Sequence, residues 1–359
     1  MKTEPRAATR LFAIDNLRVT LTVLVVVHHV ALTYGNIPLW YYTEPARDAS
    51  GAVLDILVMI NQAFFMGFFF LVSGFFTPGS HDRKGGRAFL RDRLVRLGIP
   101  LLVYLLLLRP LVTLGIYADQ DGMPYWMFYL GSWDPGPMWF AEVLLGFALL
   151  YALFRRWRRP VEASPSALRP RWIVLFVLCL SVATFLWRIP VPVGSYVPVL
   201  GLPTPNFLPQ YASMFVAGIV AFRRGWFETL PVRAGRLGFV VAGVSSVVLV
   251  PLSAITTGAV SAALTATWES TFAVSLIIGL VVLFRERFGA QGPRGRWLSE
   301  HAFTVYVVHP LVLVAVGYAL SGLQAVAVVK FAVAVAVSLP LCWALAYLVR
   351  SLPGAKRVL

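Results

Sequence analysis

Residues 14–35 read IDNLRVTLTVLVVVHHVALTYG, an apolar run with Asp15 and Arg18 near one end and His28 and His29 near the other. Its length predicts a helix that crosses the roughly 30 Å of a bilayer's hydrocarbon. Arg18 and His29 are eleven residues apart. At about 100° and 1.5 Å per residue they share one helical face and lie about 16 Å apart along the axis. His28 is turned about 80° away from that face. Arg18 near a helix end also fits a snorkelling anchor, and His29 a packed histidine. The sharper reading is a general base with a cationic partner on one wall of a cavity, because ionisable groups at membrane depth are costly and imidazole titrates near neutrality.

The surrounding chain has the same character. Hydrophobic residues make up 58% of its 359 residues and charged residues 13%, a composition that excludes an ordinary soluble domain. Apolar stretches of spanning length are expected near 14–34, 51–76, 94–117, 137–154, 172–188, 206–222, 237–255, 267–284, 299–320 and 325–349. The predicted fold is therefore all-α, a polytopic bundle of about ten transmembrane helices forming one domain over 1–359, with no separate soluble domain. The first run is too long for a cleaved signal peptide and is expected to stay.

Basic residues fall in every second connection, which together hold 27 of the 31 Lys and Arg. By the positive-inside rule both termini are cytoplasmic, and YYTEPARDAS, the aromatic stretch before Pro137 and the Pro-rich stretch before Asn206 face outward. The net charge of +15 then reports orientation and contact with anionic membrane lipids rather than nucleic-acid binding. Cys179 and Cys342 fall within predicted spans, and no phosphate loop, dinucleotide fingerprint or zinc spacing occurs, so neither a disulfide framework nor a metal site is expected. A multi-pass protein of the cell's cytoplasmic (inner) membrane is the expected setting.

Further polar residues sit at or near membrane depth. By composition Arg87, Arg91, Arg93 and Arg96 read first as positive-inside anchors, but Arg93 and Arg96 are one turn apart and would present two guanidinium groups together, a phosphate-binding geometry. Trp139 lies at the outer end of the fourth span, where a belt tryptophan is the ordinary reading, and Glu142 is one turn deeper. A carboxylate there needs a partner or a proton, and Arg109 is a candidate partner. Glu269, His309 and Lys330 complete the set. His309 precedes Pro310, where a helix backbone opens.

These residues occur in blocks that resemble the integral-membrane acyltransferase type 3 family, the O-acyltransferases of bacterial surface glycans. Arg18, ten residues and His29 fit the family's first-helix signature. FFFLVSGFF (68–76), FLRDRLVRLGIP (89–100), PMWFAEVLL (137–145) and HAFTVYVVHPLVL (301–313) resemble its later blocks in order. The PMWFAEVLL form is most similar to the stand-alone branch that includes glucan succinyltransferases. The resemblance implies that His29 is the essential histidine and Arg18 its motif partner. It also implies that Arg93 and Arg96 bind acyl-coenzyme A, and that Trp139 and Glu142 match a recurrent block to which it gives no definite role.

On this reading an acetyl or succinyl group passes from cytoplasmic acyl-coenzyme A to a hydroxyl of a carbohydrate or lipid-linked acceptor. His29 is the base, Asp15 orients Arg18, Glu142 assists, and Trp139, Arg109 and His309 contact substrate. An acyl-histidine intermediate and direct transfer stand side by side, and His28 is a second candidate for the base. The competing class is a proton-coupled secondary transporter that uses His29, Glu142 and Arg109 as relay and substrate site. A membrane scaffold ranks last, because buried charge would then be cost without use.

Overall fold

The computed structural model describes residues 12–120, 122–158, 166–198 and 200–359. Its long helices are α1 (Phe12–Tyr34), α2 (Gly51–Lys84), α3 (Gly86–Val112), α4 (Trp139–Trp157), α5 (Pro170–Trp187), α6 (Leu208–Arg224), α7 (Val232–Ala254), α8 (Gly258–Arg287), α9 (Pro293–Ala319) and α10 (Ala327–Ser351). The basic residues before Phe12, and Arg159 in the 159–165 connection, lie outside the described residues. Among the described residues nine segments are long and apolar enough to cross a membrane, α4 being joined there to a short preceding helix, Tyr125–Gly131. The tenth expected span is α6, whose 17 residues reach about 26 Å. Helix is what such a sequence must form, because hydrocarbon offers no water to satisfy an open backbone.

Several helices run past the spans read from hydropathy. α2 continues through His81, Asp82, Arg83 and Lys84, and α8 begins at Gly258, nine residues before the expected edge. Hydropathy marks hydrocarbon, whereas helix propensity carries the backbone on into the interface. α3 holds two π turns, Leu94–Gly98 and Tyr104–Leu108, each ending two residues before a proline, Pro100 or Pro110. A proline lacks the N–H that would close the preceding α turn, and the widened turn accommodates that loss.

α1 and α2 form the centre. α1 packs on α2, α8, α9 and α10, while α2 also carries α6 and α8. The Phe-rich stretch of α2 is packing surface: Phe64, Phe65, Phe68, Phe70 and Phe75 are buried. α2 and α6 cross with their backbones almost touching. A Cβ at Gly74 would stand 2.0 Å from the Phe215 carbonyl oxygen, and one at Gly218 would stand 2.0 Å from that of Leu71. Small residues at this crossing let the helices gain dispersion contact that lipid cannot supply. α5 and α7 expose Leu175, Leu178, Val182, Val240, Val244 and Val247, an apolar outer face suited to lipid tails.

The segment after α1 is strapped across the bundle. Asn36 is held by Asp55, Glu44 pairs with Lys330, and the Glu44 N–H donates to the Thr33 carbonyl at 2.8 Å. Val326, before α10, offers no side-chain cap, so the first N–H groups of α10 donate to the strap instead: Ala327 N to Asp48 Oδ2 at 2.9 Å and Val328 N to Ser50 Oγ at 3.0 Å. The Ser50 hydroxyl and then the Ala327 N–H hold the Asp48 carboxyl below its usual 3.8. A lowered folded-state value means stability that is present above the unfolded value and lost as the pH falls through the folded one. We expect the melting temperature to drop with acidification below about pH 4, and Asp48→Asn to melt lower at pH 7 with a weaker acid dependence. An Asp48→Asn melt indistinguishable from the parent at pH 7 would dismiss the cap.

Candidate active site

His29 on α1 and His309 on α9 reach the same space. Their ring centroids are 5.1 Å apart, and the Trp40 indole from the strap stacks at 4.0 Å from His29 and 6.0 Å from His309. The backbone orients both imidazoles. Pro310 cannot donate to the carbonyl four residues back, and His309 Nδ1 meets that carbonyl, Tyr306 O, at 2.7 Å. His29 Nδ1 meets Val25 O at 2.9 Å. A carbonyl oxygen only accepts, so each neutral ring keeps its proton on Nδ1 and a lone pair on Nε2. His309 Nε2 is buried without a partner, as is Trp40 Nε1. His28 is buried and packs on the Phe65 ring at 5.0 Å, with only its edge toward His29.

Tyr306 ties this pair to the PMWF turn at the head of α4. Its hydroxyl donates to the Pro137 carbonyl, and its ring lies 6.1 Å from both His309 and Phe140. Glu142 is half-buried on the next turn, within electrostatic reach of Asp134 and Tyr306. Among the described residues it forms no ion pair with Arg109. The Arg109 guanidinium is fully buried over the Tyr129 ring, 4.6 Å from its centroid, and donates to the Ser132 hydroxyl at 3.0 Å and to the Ser132 carbonyl. Arg109 thereby ties α3 to the Tyr125–Gly131 helix, since its acceptors are the Tyr129 carbonyl within that helix and Ser132 directly after it. Trp139 does not sit in the lipid belt. It is buried, with its ring 5.5 Å from Tyr211 and 6.3 Å from Phe70, since α4 turns that face toward α2 and α6.

Near the other end of α1, Arg18 forms an ion pair with Asp15 at 3.6 Å. Arg93 lies within electrostatic reach of Arg18 and Arg96, and its Nε is buried without a partner above Phe89. Asp92 is shared by Lys84 at 2.9 Å and Arg96 at 3.3 Å. Arg18 and Arg96 thus both act electrostatically on Arg93, and Asp15 and Asp92 offset part of this positive charge. Such a cluster favours a polyanion. No set of three or more potential metal-binding side chains converges among the described residues.

Sequence reasoning missed Trp40 and Arg188. The aromatic run WYY in a predicted outer connection was the available signal for Trp40. Arg188, directly after α5, forms an ion pair with Glu269 of α8 at 2.6 Å, with side chains only 7% and 12% exposed. A basic residue at an outward-facing helix end runs against the charge bias of the chain, and that exception was legible. Lys330 is used by the strap.

A family model for an acyltransferase domain, that of the type 3 acyltransferases, matches residues 11–347. Comparisons with curated proteins and with solved structures return no match. Nearly the whole chain, including the helices that carry His29, Arg93, Glu142 and His309, falls within that one match: the chain belongs to the type 3 acyltransferase family and is a multi-pass membrane acyltransferase.

Proposed function

We propose that this protein transfers an acyl group, acetyl or succinyl, from cytoplasmic acyl-coenzyme A to a hydroxyl of a carbohydrate or lipid-linked acceptor that approaches from the outer side. The observation that carries the reading is the pair of imidazoles with both Nδ1 atoms tied to helix carbonyls and both Nε2 lone pairs left for substrate. His29 Nε2 takes the proton of the acceptor hydroxyl as that oxygen attacks the thioester carbonyl. The C–S bond then breaks, the sulfur leaves with the bond's electrons, and the imidazolium returns the proton to it. His309, in the same tautomer, accepts a hydrogen bond from a neighbouring hydroxyl and keeps the acceptor in register. Arg18, Arg93 and Arg96 hold the donor's phosphates, and Asp15 fixes Arg18. The roughly 16 Å between Arg18 and His29 is a distance an extended pantetheine arm can bridge.

The test is release of free thiol from acetyl- or succinyl-coenzyme A by purified protein in lipid, with surface-glycan extract as acceptor. Thiol release that requires the extract supports transfer, and transport of the extract's components without thiol release would replace it. Within the same assay, Arg93→Gln with Arg96→Gln is expected to raise the KM for acyl-coenzyme A roughly 10- to 100-fold, with little change in the acceptor's KM. A change confined to the acceptor would remove the Arg pair from the donor site.

A further inference from the structure

The ends of α5 and α6, with facing turns of α2 and α8, hold a second polar cluster that the transfer chemistry does not use. At its centre is the buried Arg188–Glu269 ion pair, with the guanidinium carbon 5.0 Å from the Phe207 ring centroid. The Tyr211 hydroxyl lies within electrostatic reach of both charges, and it meets Thr204 Oγ1 at 2.8 Å and Gln62 Nε2 at 3.3 Å. Polar capacity is left over. Arg188 Nε, Asn206 Nδ2 and Gln210 Oε1 are buried with no partner, although Asn206 and Gln210 are each only 2% exposed. Gln210 Oε1 points at Gly67, where a Cβ would stand 2.8 Å away. Unmatched donors and acceptors at this depth, where lipid supplies neither, are the mark of a site completed by a ligand.

Resting on the acyl-transfer reading, we infer that this cluster is the acceptor subsite and that it takes a neutral polyhydroxylated group, a sugar ring. A salt-bridged Arg–Glu pair has no net charge, so it gives a charged ligand nothing to neutralise. It does offer donors and acceptors side by side, which is what vicinal hydroxyls match. The buried rings of Phe207, Tyr211 and Trp139 make an apolar border to the cluster, Tyr211 being 6.2 Å from Phe207 and 5.5 Å from Trp139, of the kind that suits the C–H surface of a sugar. From Trp139 the ring contacts run through Phe140 and Tyr306 to His309, so the cluster joins the imidazole pair by a continuous wall. Arg188, Glu269, Tyr211 and Gln62 are then specificity residues, held apart from the donor's arginines.

The experiment is saturation-transfer NMR on the full chain in lipid nanodiscs, with maltose as the neutral probe and glucuronate as the charged one. Maltose is expected to receive saturation and glucuronate not, with the maltose Kd raised about tenfold by Tyr211→Phe and by Gln62→Leu. Arg188→Gln is expected to abolish the signal. Should that variant fail to fold, the Tyr211 and Gln62 variants, whose melting is compared with the parent, carry the test. Absence of maltose binding, equal binding of glucuronate, or folded Tyr211 and Gln62 variants that bind as the parent does would each overturn the subsite and leave the cluster structural. Thiol release from acyl-coenzyme A is read separately. Its absence alongside intact maltose binding removes the transfer chemistry and not the sugar site.

Discussion

His29→Ala is expected to lower the rate of acyl transfer by about 10²- to 10⁴-fold while the protein still inserts and melts near the parent temperature. The size follows from geometry. The ring is already oriented by its bond to Val25 O, so removing it takes away a base together with its fixed aim. The neighbouring histidine provides the contrast. His28 is buried against Phe65, and His28→Ala should lower the melting temperature more than the turnover of the molecules that remain folded. Full activity in folded His29→Ala, measured as thiol released from labelled acyl-coenzyme A, would remove the base from this position.

The second large effect is on the bundle itself. Gly74→Leu places a side chain where the Phe215 carbonyl already stands, and Gly218→Val does the same against Leu71. Both obstacles are backbone, which no rotamer change can clear, so α2 and α6 must separate. We expect a loss of about 3 kcal/mol for either change, at the upper end for overpacking, read as the midpoint of unfolding in mixed detergent. Gly146→Leu on exposed α4 surface is the control, since nothing lies within 4 Å of a Cβ there. If Gly74→Leu unfolded at the parent's midpoint, the close crossing would not exist as described.

Much of the architecture could be read before any coordinates were seen, because hydrocarbon allows few alternatives. Each of the ten apolar stretches corresponds to a helix. What could not be read is which residues of different helices face one another. The spans are apolar nearly all round, so their periodicity says little about rotation. His309 is 280 positions from His29 and still meets its ring. Arg109 and Glu142 looked like partners by type and depth, but the turn of α3 and the fold-back of Tyr125–Gly131 give Arg109 nearer acceptors. Trp139 by composition belonged to the lipid interface, and the rotation of α4 buries it. Arg188 and Glu269 were each expensive alone and became affordable only as a pair across two helices.

The rings of His29 and His309 are set by main-chain carbonyls rather than by a carboxylate on a neighbouring helix. Their hydrogen-bonded alignment is therefore inherited from helical register and from one missing amide at Pro310, while Trp40 packs against the faces of the rings. On the proposed reading, with His29 as base, residues that line the acceptor's path can change without altering the carbonyl that orients its ring. A fold built this way can exchange one hydroxyl-bearing substrate for another by drifting along the wall while its chemistry stays where the backbone put it.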